Sequence, residues 1–187
     1  GLLGERPGAE IRADSLSVRL FSTLLERNLP LSLDEAVELH GGQKARVGRV
    51  LERFRATGMV ERVPRTDRLN TALWTAMTAQ HQRRGEDWML KKGGFQRILS
   101  DSQQTKLLAS LKKGALSIED VAKHLNGVEA RDQMLLLNLL GGRLPMGYRM
   151  AGTTAAGVLR QVQDRLERVL RRMVRVAGLL DDALAAD

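Results

Sequence analysis

Apolar residues between positions 44 and 57 recur at the spacing of one helical face. The positions i, i+3, i+4 and i+7 are Val47, Val50, Leu51 and Phe54, which predicts an amphipathic helix with this face packed inward. The remaining positions of the same stretch are polar and mostly cationic. They are Gln43, Lys44, Arg46, Arg49 and Arg53.

Shorter patterns on either side extend this helix into a small unit. An apolar helix is predicted over 15–28, and a second helix follows Ser32, with Glu35 completing a capping box. Gly41-Gly42 forms the turn into the cationic helix, and Gly58 supplies a left-handed stop. The segment "MVERV" then predicts a strand, "PRTDRLN" a turn, and "TALWTAM" the returning strand of a β-hairpin.

A shift of 85 positions aligns this unit with a second one. Residues 29–46 match 114–131 without a gap, and Ser117 with Asp120 repeats the capping pattern. A tandem duplication is the economical explanation, and chance similarity of two short helical hairpins is the alternative. The second unit is predicted over 98–150, with "LPMGYRM" as a shortened strand of its own hairpin, and a connector over 79–97.

The two units differ in their third helix. Residues 130–140 carry Arg131 and few other charges, whereas the apolar residues Met134, Leu135, Leu136, Leu137, Leu139 and Leu140 nearly surround the helix. A helix that is apolar on most sides is buried on most sides. The second unit is therefore predicted to be a packing or dimerisation platform that offers a protein partner a surface.

A heptad pattern runs through the C-terminal residues 153–187. Apolar residues alternate at spacings of three and four, which predicts a coiled-coil stripe on one long helix and hence a homodimer. The alternative is that this helix packs back onto the second unit. The residues of the stripe are Leu159, Val162, Leu166, Val169, Met173, Val176 and Leu180.

Charge sharpens the picture around the cationic helix. The chain of 187 residues has a formal net charge of +8, and residues 41–72 carry 8 basic and 3 acidic side chains. Such a concentration favours a polyanion-binding surface, although a solvated basic face would look the same. Cysteine is absent, no apolar run is long enough to cross a membrane, and no catalytic, cofactor or metal motif is found. We therefore expect a cytoplasmic, nucleoid-associated protein that is not an enzyme.

The order of three helices and a hairpin over residues 15–76 resembles the winged helix-turn-helix superfamily of DNA-binding modules. The resemblance rests on "LSLDEAVELHGGQKARVGRVLERFRATGMVERV", and Gly42-Gln43 after Gly41 departs from the usual aliphatic residue of the turn. It implies that helix 43–57 enters the major groove of double-stranded DNA. The wing, 59–75, would then reach a phosphate or the minor groove through Arg62, Arg65 and Arg68.

The sequence thus predicts a mainly α protein with small β-hairpins, built from tandem winged helix-turn-helix units and a long C-terminal helix. The predicted divisions are an arm over 1–14, a DNA-reading unit over 15–78, the connector, the second unit and the dimerisation helix. The predicted function is dimeric, sequence-specific DNA binding, most simply transcriptional regulation. The alternatives are an interaction subunit of a chromosome-organising complex and a plasmid or phage replication or partition protein.

Overall fold

A computed structural model describes Leu3 and residues 10–185. The described chain is mainly helical, with one small two-stranded sheet, and none of its helices is both long and apolar enough to cross a membrane. In chain order the elements are α1 (Leu16–Glu26), α2 (Leu33–His40), α3 (Lys44–Thr57), β1 (Val60–Pro64), a 3-10 turn (Thr66–Arg68), α4 (Leu69–Lys91), α5 (Phe95–Ile98), α6 (Asp101–Lys112), α7 (Ile118–His124), α8 (Ala130–Leu139), β2 (Met146–Met150) and α9 (Ala155–Ala185).

The chain forms two compact units, and the first is discontinuous. Unit 1 comprises Gly1–Val63 and Gly147–Asp187, whereas unit 2 is the continuous segment Pro64–Met146. Unit 2 is therefore inserted between the two strands of unit 1. These limits differ from the predicted ones, which placed the first unit over 15–78 and the second over 98–150.

The sheet of unit 1 is completed by a strand from far along the sequence. β1 pairs with β2, and on the other side of β2 an antiparallel bridge joins Tyr148 to Leu31 through two N–H···O bonds of 2.8 Å. β2 therefore lies between β1 and the segment that connects α1 to α2. The backbone N–H of Ala151 extends the ladder by donating to the carbonyl of Met59 at 3.0 Å.

The predicted return strand "TALWTAM" is wrong, because these residues lie within α4. Leu69, Leu73, Ala76 and Met77 recur at helical spacing and are all buried in the core of unit 2. The strand predicted in "LPMGYRM" does exist as β2, but it pairs with β1 and not within a hairpin of the second unit. Burial explains this assignment, since Tyr148 and Met150 both belong to the core of unit 1.

The core of unit 1 joins its three helices, its strands and the start of α9. Phe54 of α3 is fully buried, and its ring meets the edge of Phe21 on α1 with centroids 6.2 Å apart. Val158 and Val162 of α9 pack into the same cluster. The first turns of α9 are thus an integral part of this unit.

Unit 2 is organised around α4, which packs against α5, α6, α7 and α8. The indole N–H of Trp74 on α4 donates to the carbonyl of Leu116 at 2.7 Å. Gly85, with φ of +75°, interrupts the helical geometry within α4. The predicted connector over 79–97 is therefore part of α4 and α5, and its Phe95 is buried in the core.

The internal repeat survives in the helices but not in the strands. Both capping boxes form, at Ser32 with Glu35 and at Ser117 with Asp120, and α6, α7 and α8 begin within a residue of where the 85-residue shift puts them. The two strands of the described chain, β1 and β2, nevertheless pair with each other in the sheet of unit 1. The second unit, which is described throughout, has no sheet of its own.

The apolar surface of α8 is covered within unit 2. Leu136, Leu137 and Leu140 are buried, and Leu139 closely approaches Gly94 beside α5. Throughout 64–146, all of which the structure describes, the most exposed large apolar side chain is Leu144, at 37%. Packing by α4 and α5 therefore accounts for the apolar helix, and the docking platform predicted on α8 is not exposed.

We predict that unit 1 folds without unit 2. The backbone N–H of Arg65 donates to the carbonyl of Pro145 at 2.8 Å, so the two ends of the insertion are neighbours in the ladder. Replacing residues 66–144 by Asn-Gly should close β1 and β2 as a hairpin, since this dipeptide favours a two-residue turn. Circular dichroism should show a helical protein with a single cooperative thermal transition. A variant that lacks this transition would show that unit 1 depends on unit 2 for its stability.

Candidate nucleic-acid interface

The two faces of α3 are divided as the sequence predicts. Val47, Leu51 and Phe54 are fully buried and Val50 nearly so, which confirms the inward face. Gln43 occupies the N-cap position, and its side chain makes no capping hydrogen bond. Gln43, Lys44, Arg46 and Arg49 are exposed, and Arg53 is half-buried. The outward side of α3 therefore presents most of the predicted cations to solvent.

Three of these arginines come together along one groove. Arg46, Arg49 and Arg53 follow the i, i+3, i+7 spacing of α3 and line a shallow groove of about 220 Å³ against Leu16 and Ser17 at the start of α1. A guanidinium offers paired donors that match a phosphate or the O6 and N7 atoms of guanine. We call these three residues the α3 arginine row.

Lys44 is partly neutralised by a neighbouring carboxylate. Its Nζ lies 2.5 Å from Oδ1 of Asp34 on α2, and both side chains are more than half exposed. An exposed ion pair of this kind contributes about 0–1 kcal/mol. The pair therefore opposes the approach of a phosphate to Lys44 only weakly.

A second cavity lies past the turn between α2 and α3, and both basic and acidic side chains line it. It has a volume of about 580 Å³ and includes Arg12, Arg19, His40 and Arg46 together with Glu10 and Asp14. The Arg12 guanidinium donates to both carboxylate oxygens of Asp14, at 3.2 and 3.1 Å. The His40 ring contacts the Thr23 hydroxyl at 3.0 Å, and burial followed by the charge of Arg19 lowers the pKa of this histidine. Sequence reasoning missed Arg12 and Arg19, because they lie far from α3 along the chain and no helical pattern links them to it.

The predicted wing arginines do not form one surface. Arg65 is buried, with 4% of its surface exposed, and its guanidinium donates to both carboxylate oxygens of Asp67, at 3.2 and 2.5 Å. Its hydrogen bonds hold the pKa of Asp67 below the ordinary value. The assignment of Arg65 as a DNA contact is therefore wrong, because the guanidinium is already committed inside the protein.

Arg62 and Arg68 are both exposed but belong to different units. Arg62 lies on β1 in unit 1, together with α3, whereas Arg68 lies in the 3-10 turn of unit 2 and approaches Asp67 at 3.8 Å. The turn that would have formed the wing tip is instead the entry into unit 2. Arg62 is thus the one member of the predicted wing set that is both exposed and carried by the unit that contains the α3 arginine row.

A hydrogen-bonded triad fixes α3 against β2. The Tyr148 hydroxyl donates to Oε1 of Glu52 at 2.7 Å, and Nε of Arg55 donates to Oε2 at 2.7 Å. The hydrogen bond from Tyr148, followed by the one from Arg55, lowers the pKa of Glu52. Burial, followed by the hydrogen bond to Glu52, raises the pKa of Tyr148. No sequence signal identifies the pair, since α3 and β2 are widely separated along the chain.

The end of α3 is covered by α9. Nη1 of Arg165 donates to the carbonyl of Arg55 at 3.5 Å, and its Cδ would lie 3.0 Å from a β-carbon added at Gly58. A cation near the last carbonyls of a helix interacts favourably with the helix dipole. Gly58 has φ of +84°, which ends the helix and leaves space for this arginine.

The predicted long helix is confirmed over Ala155–Ala185, but its apolar stripe has two parts. Val162 is only 4% exposed and packs in the core of unit 1, so its assignment to a dimer interface is wrong. The other predicted stripe residues are 49–63% exposed: Leu159, Leu166, Val169, Met173, Val176 and Leu180. The first turns of α9 thus pack within the chain, as the alternative had it, but they pack on unit 1 and not on the second unit.

Among the described residues, no three His, Asp or Glu side chains are grouped to hold a metal ion. Comparison of the chain with protein-family models, curated proteins and solved structures finds no match. The functional argument therefore rests on the residues themselves.

We predict that Tyr148→Phe raises the pKa of Glu52 towards its ordinary value of 4.5, measured by NMR titration. A carboxylate with a depressed folded-state pKa stabilises the fold above its unfolded pKa and loses that contribution as the pH falls through the folded value. Because the Glu52 carboxylate is partly exposed and solvent screens its interactions, the variant should lose at most about 1 kcal/mol of unfolding free energy at pH 7, and the deficit should shrink below about pH 4. An unchanged Glu52 pKa would contradict the assigned hydrogen bond.

Proposed function

We propose that the chain is a homodimeric, sequence-specific double-stranded DNA-binding protein, most simply a transcriptional regulator. The observation that carries the proposal is the α3 arginine row, in which Arg46 and Arg49 are exposed and Arg53 is half-buried beside the buried apolar face of the same helix. Burial of that face holds the helix rigidly, so the guanidinium groups beside it project from a fixed support.

The order of elements in unit 1 supports a winged helix-turn-helix. α1, the Leu31 bridge, α2 and α3 are followed by the paired strands β1 and β2, and Gly41-Gly42 separates α2 from α3. In the proposed arrangement α3 lies in the major groove and Arg62 on β1 contacts the backbone. Unit 2 then takes the place of the wing loop.

The chemistry of the surface suits DNA better than a small anion. Arg46, Arg49 and Arg53 are spread over about 10 Å of helix, which spans successive phosphates or base edges and exceeds a single phosphate group. The groove beside them is shallow, so it fits an extended surface rather than an enclosed ligand.

The main alternative is that the chain uses its units to bind other proteins, as a subunit of a chromosome-organising complex. The support for that alternative was the apolar helix of the second unit, α8, and the apolar side of this helix packs against other helices of unit 2. A replication or partition protein would share the DNA contact, and only its genetic setting would distinguish it from a regulator.

We predict that Arg49→Ala weakens binding to a duplex selected from random sequence by about 1–3 kcal/mol and relaxes its base preference. Arg131→Ala is the matched control, because it removes an exposed arginine from the equivalent helix of unit 2. Fluorescence anisotropy should show near-normal affinity for this control. The log of the wild-type affinity should fall linearly with log salt, by about 0.9 per phosphate neutralised.

Equal losses in Arg49→Ala and Arg131→Ala would contradict reading by α3 alone. Absence of duplex binding at low salt would reject the DNA proposal and favour the protein-interaction alternative. Circular dichroism of each variant separates these outcomes from loss of fold.

We predict that truncation after Arg165 yields a folded monomer. This limit retains Val158, Val162 and the Arg165 contact with α3, whereas a cut after Gly152 would remove part of the unit 1 core. The truncated chain should bind the selected duplex more weakly, since paired half-sites are lost. Light scattering should give a dimer for the full chain and a monomer for the truncated one; a monomeric full chain at tens of micromolar would contradict the dimer.

A further inference from the structure

The free part of α9 is the largest exposed apolar feature of the described chain. After Arg165, large apolar side chains are 49–75% exposed: Leu166, Val169, Leu170, Met173, Val174, Val176, Leu179, Leu180 and Leu184. Monomers rarely expose a continuous apolar patch of this kind, and such a patch marks an interaction surface. Its heptad spacing specifies another helix as the occupant.

The charge on α9 is distributed unevenly along its length. Between 160 and 175 lie six arginines and two acidic residues, a net charge of +4, whereas the segment 176–185 carries Asp181 and Asp182 and no cation. One end of the free helix is therefore cationic and the other acidic. In a parallel pair of identical helices, the cationic segments would lie side by side, and so would the acidic ones.

An antiparallel pair reverses this arrangement. The cationic segment of each helix then lies level with Asp181 and Asp182 of the other, which is favourable within about one Debye length, ~8–10 Å. The residues that flank the stripe differ between its two sides. On one side they are Leu170, Ala177 and Leu184, and on the other Arg165, Arg172 and Leu179. Antiparallel pairing places the wholly apolar flank of one helix against the same flank of the other, whereas parallel pairing puts Arg165 against Leu170 and Arg172 against Ala177.

We propose that α9 pairs antiparallel with α9 of a second copy of this chain and thereby sets the spacing of two DNA-reading units. This inference rests on the proposed DNA-binding function for the role of the spacing, but not for the pairing itself. With Val169 level with Leu180 of the other chain, Leu166 is level with Ala183. Each helix then overlaps the other along the part of the stripe from Leu166 to Ala183.

The register gives a distance. The two copies of Val162, where α9 enters the core of unit 1, are then separated by about 25 residues of helix, or about 38 Å at 1.5 Å per residue. Helix-turn-helix dimers read half-sites about 34–36 Å apart, one turn of DNA. A parallel pair would bring both copies of Val162 to the same end. The antiparallel pair thus sets the two anchor points about one DNA turn apart.

Cysteine cross-linking tests the orientation, because the chain has no cysteine of its own. Val169→Cys and Leu180→Cys change exposed positions on α9, and a disulfide requires Cα atoms within about 7 Å. The two variants should be co-expressed with tags of different size and oxidised. The antiparallel pair predicts a mixed V169C–L180C disulfide at least tenfold more abundant than either homodimeric one. L166C with A183C should behave in the same way.

Homodimeric disulfides from V169C alone would show that the helices are parallel, and would overturn the inference. A lack of cross-links in both variant pairs, or a monomeric wild-type chain by sedimentation, would also overturn it. Cross-linking needs no DNA, so an antiparallel dimer that binds no duplex would reject the proposed function while the helix pairing stands.

Discussion

The pairing of β1 with β2 is the constraint on which the rest of unit 1 depends. β2 bonds to β1 on one side and to Leu31 on the other, and its Tyr148 reaches across to Glu52 on α3. One short strand therefore holds the α1–α2 connection, the end of α3 and the start of α9 in register. The α3 arginine row owes its rigid support to this strand.

Features that depend on sequence neighbours could be predicted, and those that depend on distant ones could not. The capping boxes at Ser32 and Ser117 and the inward face of α3 follow from spacings of three and four residues, and all of them form. The partner of β1 does not follow from spacing. The stretch 71–77 has the apolar content of a strand and the periodicity of a helix, and packing in the core of unit 2 decides between them.

The residues of the candidate site show the same contrast between features set by sequence neighbours and features set by distant residues. Positions on α3 were predictable because a helix fixes which side chains share a face. Arg65 was not, because the ionic partner that draws it inside, Asp67, becomes available only when the 3-10 turn forms. Val162 shows the same effect on α9, since the heptad pattern cannot tell whether a leucine or valine meets its own core or another chain. The internal repeat likewise preserved helix positions while the surroundings of each helix changed.

The insertion of unit 2 between β1 and β2 has a consequence for the order of events during synthesis. All residues of unit 2 emerge from the ribosome before β2 and α9, which unit 1 requires. Unit 2 can therefore complete its fold first. At that stage the core that α1, α2 and α3 share with β2 and α9 is still incomplete. Contacts such as Leu31 with Tyr148 span more than half of the chain, and closing them late is slow. A folded unit 2 makes the pairing of β1 with β2 faster, because its two ends, from which the strands continue, lie next to each other.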